Sequence, residues 1–145
     1  MNTLVIAEHD GKELKNSTLS TITAASKISD EVHLALFCTG DEGLKNFSKK
    51  VGALKKIFFF QHSKYENQIA EDISIQLNEF LSKNLYSHVL APSSTFGKNL
   101  LPRIAAFLDV QQISDIVKIH DHDTFDRPIY AGNAISRVRS KDKTK

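Results

Sequence analysis

The sequence predicts an α/β fold, namely a three-layer, open and mostly parallel sheet with a C-terminal β-hairpin extension. Along the first two thirds of the chain, short apolar runs alternate with amphipathic segments, whereas beyond Val110 only short strand-like pieces follow. Alternation with short connections is typical of right-handed βαβ crossovers and of helices on both sheet faces. The chain has 145 residues, 41% of them hydrophobic and 25% charged. We therefore expect residues 1–145 to form a single domain.

The strands of the parallel sheet are predicted from four apolar runs. They are residues 3–8, 32–38, 57–60 and 88–91. The second run is almost continuously apolar, which is typical of a strand covered on both faces. The third run is rich in phenylalanine, and we expect it to be fully buried core. Cys38 is the only cysteine, which excludes an intrachain disulfide and predicts a buried thiol at a strand end.

Helices are predicted between these strands and after the last one. They cover residues 17–28, 41–50, 66–83 and 100–108. The third helix is the clearest, because its apolar residues recur at spacings of three and four. Ser63 followed by Glu66 predicts a capping box at its start. Pro102 is expected in the first turn of the last helix, where the backbone N–H has no helical partner.

The last third predicts strands over residues 116–119, 125–130 and 134–138. Gly132 and Asn133 lie between two alternating apolar runs, and we expect both to adopt the positive φ of a tight hairpin turn. Pro128 lacks a backbone donor, so its strand should begin nearby or lie at an edge.

A candidate anion site follows the fourth predicted strand. Neither a G-x-G-x-x-G fingerprint nor a Gly-Lys-Ser phosphate loop is present, so dinucleotide and P-loop chemistry are unsupported. Exposed N–H groups and hydroxyls at a helix start could hold an anion. The alternative, which we favour, is that these hydroxyls cap the helix. The residues concerned are Ser93, Ser94, Thr95 and Gly97.

No catalytic or metal site is predicted. The run of histidine and aspartate at residues 120–123 has metal-capable groups, but successive residues in a turn rarely point at one ion. His33 and His88 are interpreted as hydrogen-bonded packing residues. A nucleophilic role for Ser93 or Ser94 would need an activating base, and no G-x-S-x-G elbow accompanies either serine.

Charge and hydropathy narrow the class of protein further. The net charge of +2 comes from 19 basic and 17 acidic residues, which does not favour nucleic acid or an anionic membrane. The apolar run near the N-terminus is shorter than the ~7–15 residues of a signal peptide, and no run reaches the ~20 residues of a membrane span. A reducing cytosol is therefore the expected compartment.

Three separated segments resemble one protein family. Residues 127–134 read Arg-Pro-Ile-Tyr-Ala-Gly-Asn-Ala, and residues 4–11 and 91–106 provide two further matches in the expected order. Together they resemble the N-terminal domain of the alpha subunit of electron transfer flavoproteins. The resemblance implies an adenine nucleotide alpha hydrolase-like fold and a bacterial cytoplasmic protein.

The resemblance also implies a cofactor and partners for the complete protein. In that family the alpha subunit pairs with a beta subunit, and FAD lies mainly in the C-terminal domain of the alpha subunit. The heterodimer passes electrons from acyl-CoA and related dehydrogenases to a membrane quinone oxidoreductase. The sequence lacks the flavin-binding Ser-Arg-Gly and Gly-rich motifs, so no cofactor is expected in this chain alone.

The same resemblance implies that the last third contacts the beta subunit or the flavin domain. The expected interface residues are Arg127, Pro128, Tyr130, Asn133 and Ile135. An alternative is a free-standing adenine-nucleotide-binding module of the universal-stress type. Phosphates would then bind at residues 93–97 and in the loop after Glu8, although this loop lacks the serine- and glycine-rich sequence that the related ATP pyrophosphatases use.

Overall fold

The computed structural model describes residues 1–40 and 42–145. Its main sheet has four parallel strands in the order β3-β2-β1-β4. These strands are β1 (Thr3–Ile6), β2 (Val32–Cys38), β3 (Lys56–Gln61) and β4 (His88–Leu90). The helices are α1 (Asn16–Ala25), α2 (Glu42–Lys49), α3 (Ala70–Lys83) and α4 (Thr95–Leu108), and a short 3-10 helix covers Ser63–Tyr65.

Two apolar clusters make this sheet the middle of three layers. On one face, Val5 and Leu34 of the sheet join Ile22 of α1 and Leu44 of α2. On the other face, a larger cluster joins the sheet to α3 and α4, with Leu4, Ile6, Phe37, Ile73, Leu77 and Leu100 fully buried. Burial of each such side chain stabilises the fold by roughly 1.5–3 kcal/mol. The predicted parallel sheet with helices on both faces is therefore confirmed.

A second sheet of three antiparallel strands, in the order β5-β6-β7, forms the predicted hairpin extension. Its strands are β5 (Lys118–Ile119), β6 (Thr124–Ile129) and β7 (Ala134–Arg139). Phe125 is buried, and the His122 carbonyl accepts a 2.6 Å hydrogen bond from Nε2 of His88. These contacts hold the extension beside β4.

The hairpin turn differs from the expected one. Ile129 pairs with Ala134, so four residues form the connection instead of two. Tyr130, Ala131 and Gly132 have φ angles of +50°, +52° and +92°. The prediction for Gly132 is confirmed, but that for Asn133 is wrong, because Asn133 has a φ of −73°. The residues with positive φ are the first three of this longer loop, so Asn133 keeps an ordinary negative φ.

The aromatic strand β3 is half-buried, not fully buried as predicted. It lies at the edge of the sheet, and among the described residues its strand partner is β2 alone. Phe60 stacks on Phe37 at a centroid distance of 4.5 Å, and Phe58 meets the edge of Phe80 at 4.8 Å. An edge strand has one neighbour, so its side chains keep partial contact with solvent.

The other differences between the predicted and the observed structure concern the residues at which helices begin. The third helix begins at Ala70 without a side-chain cap, because a separate 3-10 turn occupies Ser63–Tyr65 and is capped by His62. The predicted Ser63 capping box is therefore wrong. Helix α4 begins at Thr95, which places Pro102 inside the helix, not in its first turn. The helix loses the hydrogen bond that residue 102 would donate to the Lys98 carbonyl. The predicted helix 41–50 appears as Glu42–Lys49, while Asp41 lies outside the described residues.

Candidate functional site

The carboxyl ends of β1 and β4 form the crevice where this type of sheet usually binds ligands. The chain passes from β1 to β2 and β3 on one side, and then crosses to β4 on the other side of β1. This reversal is a topological switch point, and ligands of open α/β sheets bind outside the strand ends there. A ligand site is therefore expected at the loop after β1 and the start of α4.

The side chain of Glu8 lies in this crevice. Its carboxylate accepts a hydrogen bond from Lys15 Nζ at 2.8 Å and one from Ser94 Oγ at 2.6 Å. The Glu8 backbone is fixed as well, because its N–H donates to Thr18 Oγ1 at 2.9 Å and its carbonyl accepts from the same hydroxyl at 2.8 Å. The side chain is only 10% exposed.

Glu8 carries its negative charge despite this burial. Burial opposes ionisation, but the hydrogen bonds from Lys15 and Ser94 outweigh it, so the pKa of the Glu8 carboxyl is lowered. A fixed carboxylate therefore lies in the crevice. Lys15 and Glu8 offset each other's charge, so this pair leaves no free positive charge to attract an anionic ligand.

The hydroxyls of the predicted anion site are bonded within the chain. Ser94 is the N-cap of α4, and its Oγ accepts from the Gly97 N–H at 3.4 Å while it donates to Glu8. Ser93 Oγ donates to the Asp115 carboxylate, which also forms an ion pair with Lys98 at 3.1 Å. These bonds support the capping interpretation that the sequence favours. Thr95 is exposed as the first residue of the helix.

Gly97 has a packing role at the same helix start. A Cβ atom at this position would lie 1.9 Å from the Pro92 carbonyl oxygen. The absence of a side chain lets α4 begin directly against the strand end. Gly97 therefore allows the helix start that carries Ser94 to lie close to the loop after β1.

His9 fixes the loop that follows β1. It is only 6% exposed, and its Nε2 lies 2.7 Å from the Phe37 carbonyl, while Nδ1 accepts from the Gly11 N–H at 3.0 Å. Because Nδ1 accepts, Nε2 must bear the proton and donate to Phe37. Burial lowers the pKa of His9, although the Phe37 hydrogen bond opposes this effect. His9 is thus a neutral structural residue near pH 7.

The outer face of the hairpin sheet has two carboxylate–arginine pairs. Asp126 accepts from Arg137 Nε at 2.9 Å and from His120 Nε2 at 2.7 Å, and these partners lower its pKa to about 2. Asp123 accepts from Arg139 Nε at 2.8 Å. The residues of the 120–123 run therefore bond to different partners. Among the described residues, no three histidine, cysteine or acidic side chains are grouped as metal ligands.

Four of the five predicted interface residues lie at the tip of the hairpin, which comprises residues 128–135. Tyr130 is 79% exposed and Ile135 is 57% exposed, and Pro128 pairs with Ile135 across the two strands. Asn133 is exposed in the connection, while Arg127 points to the opposite face of the sheet and is half-buried. Within the described part of the chain, the buried Arg127 Nε has no hydrogen-bond partner.

Sequence reasoning missed Glu8, Lys15 and Asp115. The position of Glu8 directly after the first apolar run could have indicated a residue at the carboxyl edge of the sheet. The contact of Glu8 with Ser94 depends on the strand order, which the sequence pattern does not specify. Asp115 belongs to an irregular segment without periodicity, so no sequence pattern indicates its pairing with Ser93.

None of the helices in the described ranges has the length and apolar character needed to cross a membrane.

The sequence profile of the electron transfer flavoprotein domain matches residues 3–145. The chain is 44% identical over 145 residues to "Electron transfer flavoprotein subunit alpha" of Pseudomonas aeruginosa, covering 100% of this chain and 46% of that protein.

Mitochondrial alpha subunits from two eukaryotes are also similar. The subunit of Dictyostelium discoideum is 44% identical over 149 residues, covering 98% of this chain and 42% of that protein. The subunit of Arabidopsis thaliana is 38% identical over 144 residues, with coverages of 96% and 40%. The chain thus spans less than half the length of the curated relatives it matches, and it belongs to the electron transfer flavoprotein family.

Proposed function

We propose that this chain, as one α/β domain, is the scaffold and subunit-contact part of an electron transfer flavoprotein alpha subunit. Its partner is the beta subunit of the same protein. The complete heterodimer holds FAD and carries electrons from primary dehydrogenases, such as acyl-CoA dehydrogenases, to a membrane quinone oxidoreductase. The match to alpha subunits along the whole chain supports this proposal.

The structural support for a subunit-contact role is the exposed tip of the hairpin. Tyr130 and Ala131 both have left-handed backbone conformations, each of which costs a non-glycine residue about 1–3 kcal/mol. These conformations turn Tyr130 outward, where most of its ring meets solvent. An aromatic ring held in this way, beside Ile135 and Pro128, is suited to the centre of a protein interface.

Ion pairs below the tip connect the strands of the hairpin sheet to one another. Asp126 joins β6 to β7 through Arg137, and it also holds His120, which follows β5. A preformed surface loses less conformational entropy on binding than a mobile loop does. The hairpin can therefore present Tyr130 and Ile135 to the beta subunit at little ordering cost.

The contacts within the crevice argue against a flavin dinucleotide at this position. A diphosphate there would meet the Glu8 carboxylate, and the Ser93 and Ser94 hydroxyls already donate to carboxylates. We therefore infer that this domain contributes contacts and support, while FAD binds to other parts of the heterodimer. The same carboxylate argues against the alternative of a free-standing nucleotide-binding module.

Binding of the cognate beta subunit tests the proposal. A double variant, Tyr130→Ser with Ile135→Ser, should weaken binding at least tenfold in calorimetry, because it removes the apolar tip. The matched control is Ile75→Ser, since Ile75 is 67% exposed on α3. It should bind like the parent chain. Equal binding by all three chains would contradict the assignment of the tip, and no binding by the parent chain would contradict the proposed function.

A further inference from the structure

The edge strand β3 has an open side. Lys55 N–H donates to the Val32 carbonyl at 2.8 Å, so the backbone groups of Lys55 face β2. Backbone groups of alternate residues point to alternate sides of a strand. The N–H and carbonyl groups of Lys56, Phe58 and Phe60 therefore face away from β2. Among residues 1–40 and 42–145, none of these groups has a hydrogen-bond partner outside the sheet, and such a row of groups is a template for a further strand.

The side chains of β3 present apolar surface on both faces of this edge. On one face, Phe58 and Phe60 pack against the cluster that contains α3 and α4. On the other face, Ile57 and Phe59 pack against the cluster that contains α1 and α2. All four side chains are only half-buried. A strand added beside β3 would therefore cover apolar groups on both faces as well as complete the hydrogen bonding of the edge.

The edge is also strongly basic. Residues 42–56 include five lysines and one glutamate. The glutamate, Glu42, pairs with Lys45 at 3.1 Å. The other four lysines are exposed, and within the described ranges none of them forms an ion pair. These lysines are Lys49, Lys50, Lys55 and Lys56.

The four lysines lie at the same end of β3. Two tight turns connect the end of α2 to the start of the strand, because Val51 N–H donates to the Ser48 carbonyl and Leu54 N–H donates to the Val51 carbonyl. The charge also extends along the edge, since Lys56 Nζ lies 4.9 Å from the centre of the Phe58 ring. The amino end of β3 thus combines unpaired cations with the first of the open backbone groups.

The charge of this edge determines which partner it fits. A second copy of the chain would bring an equally basic edge to this one, and lysines on edge strands are a common means of preventing such self-pairing. An acidic partner would instead gain from the same lysines, because opposite charges across an interface favour encounter and fix the register of binding.

We propose that the open edge of β3 binds an extended, acidic segment of a partner protein, which adds to the sheet as a further strand. Main-chain hydrogen bonds supply the affinity in this mode of recognition, and side chains supply the specificity. The carboxylates of the segment lie beside Lys55 and Lys56, and its β-branched or aromatic residues cover Phe58 and Phe60. This edge and β4, which adjoins the hairpin, are opposite edges of the sheet, so both surfaces can be occupied at once.

A synthetic peptide with the sequence Glu-Glu-Val-Thr-Val-Thr-Val tests the inference. It should bind the chain in fluorescence anisotropy, and the amides of Phe58 and Phe60 should then exchange hydrogen at least tenfold more slowly. The same peptide N-methylated at its central residues should bind at least tenfold more weakly, because it cannot donate to the edge.

A pair of charge variants tests the role of the lysines. The double variant Lys55→Glu with Lys56→Glu should weaken binding of the unmodified peptide at least tenfold. Lys12→Glu with Lys27→Glu is the matched control, since both lysines are exposed elsewhere on the chain and the change in net charge is the same. The control should bind like the parent chain.

Three results would overturn the inference. The first is the absence of peptide binding at millimolar concentration, or binding that leaves the exchange of Phe58 and Phe60 unchanged. The second is equal binding of the N-methylated peptide or equal weakening by the two double variants, since charge alone would then hold the peptide. The third is protection of these amides that rises with protein concentration without peptide, because a second copy would then occupy the edge.

Discussion

Ser94 Oγ donates a hydrogen bond to the Glu8 carboxylate at 2.6 Å, and it also caps helix α4 by accepting from the Gly97 N–H. One hydroxyl thus joins the loop after β1 to the helix after β4. The two strands flank the switch point of the sheet. An internal contact therefore lies at the position that binds ligands in many α/β proteins.

We expect Ser94→Ala to destabilise the chain by about 1–2 kcal/mol, because it removes the cap of α4 and one partner of the partly buried Glu8. Urea unfolding at neutral pH measures this change. Ser93→Ala is the control, since Ser93 is exposed and does not cap the helix. It should lower stability by less than about 0.5 kcal/mol. Equal effects of the two substitutions would contradict the role given to Ser94.

Gly97→Ala should destabilise the chain by roughly 1–3 kcal/mol, because the added methyl group would overlap the Pro92 carbonyl and push α4 away from β4. Gly52→Ala is the matched control. A Cβ atom at Gly52 would meet no atom within 4 Å. The midpoint of thermal unfolding should therefore be clearly lower for Gly97→Ala than for Gly52→Ala. A Gly97→Ala chain with an unchanged midpoint would show that the helix start is free to shift.

The sequence allowed the layers of the fold to be predicted, because apolar periodicity depends directly on burial. The limits of β2 agree with the predicted run. The half-burial of Phe58 and Phe60 was missed, since a local pattern does not tell an edge strand from a central one. The hydroxyls of Ser93 and Ser94 were recognised as polar groups at a helix start. Their carboxylate partners, Glu8 and Asp115, depend on strand order and on an irregular segment, which local pattern cannot specify.

Gly132→Val should destabilise the chain by more than about 1 kcal/mol, because Gly132 has a φ of +92° and a β-branched residue is strongly disfavoured there. Asn133→Ala provides the comparison. Asn133 has an ordinary φ of −73°, so its replacement should change stability by less than about 0.5 kcal/mol. Chemical denaturation of the two variants measures the difference. A larger loss of stability for Asn133→Ala would mean that Gly132 is not the residue whose backbone conformation the turn requires.

The chain should bind adenine nucleotides and flavin no more tightly than millimolar, equivalent to about 4 kcal/mol. The physical reason is the Glu8 carboxylate in the crevice and the internal bonding of Ser93 and Ser94. The purified chain should also be colourless. Calorimetry with AMP, ATP and FAD measures the affinity directly. Micromolar binding of any of them would argue for the free-standing nucleotide-binding module and against this account of the crevice.

Acid should weaken the hairpin sheet through Asp126. Hydrogen bonds from Arg137 and His120 lower the Asp126 pKa from 3.8 to about 2 in the folded chain. A carboxyl group with a lowered folded pKa contributes stability above its unfolded pKa, and this contribution is lost as the pH falls through the folded value. The loss attributable to Asp126 should therefore occur between about pH 4 and pH 2.

Asp126→Asn tests this linkage. The variant should be less stable than the parent chain at pH 6, because it loses the charge that pairs with Arg137. It should also lose less stability between pH 4 and pH 2, since the amide does not titrate. Urea midpoints across this range measure both effects, and Asp30→Asn, at an exposed position before β2, is the control. An acid dependence as steep in Asp126→Asn as in the parent chain would exclude Asp126 as its source.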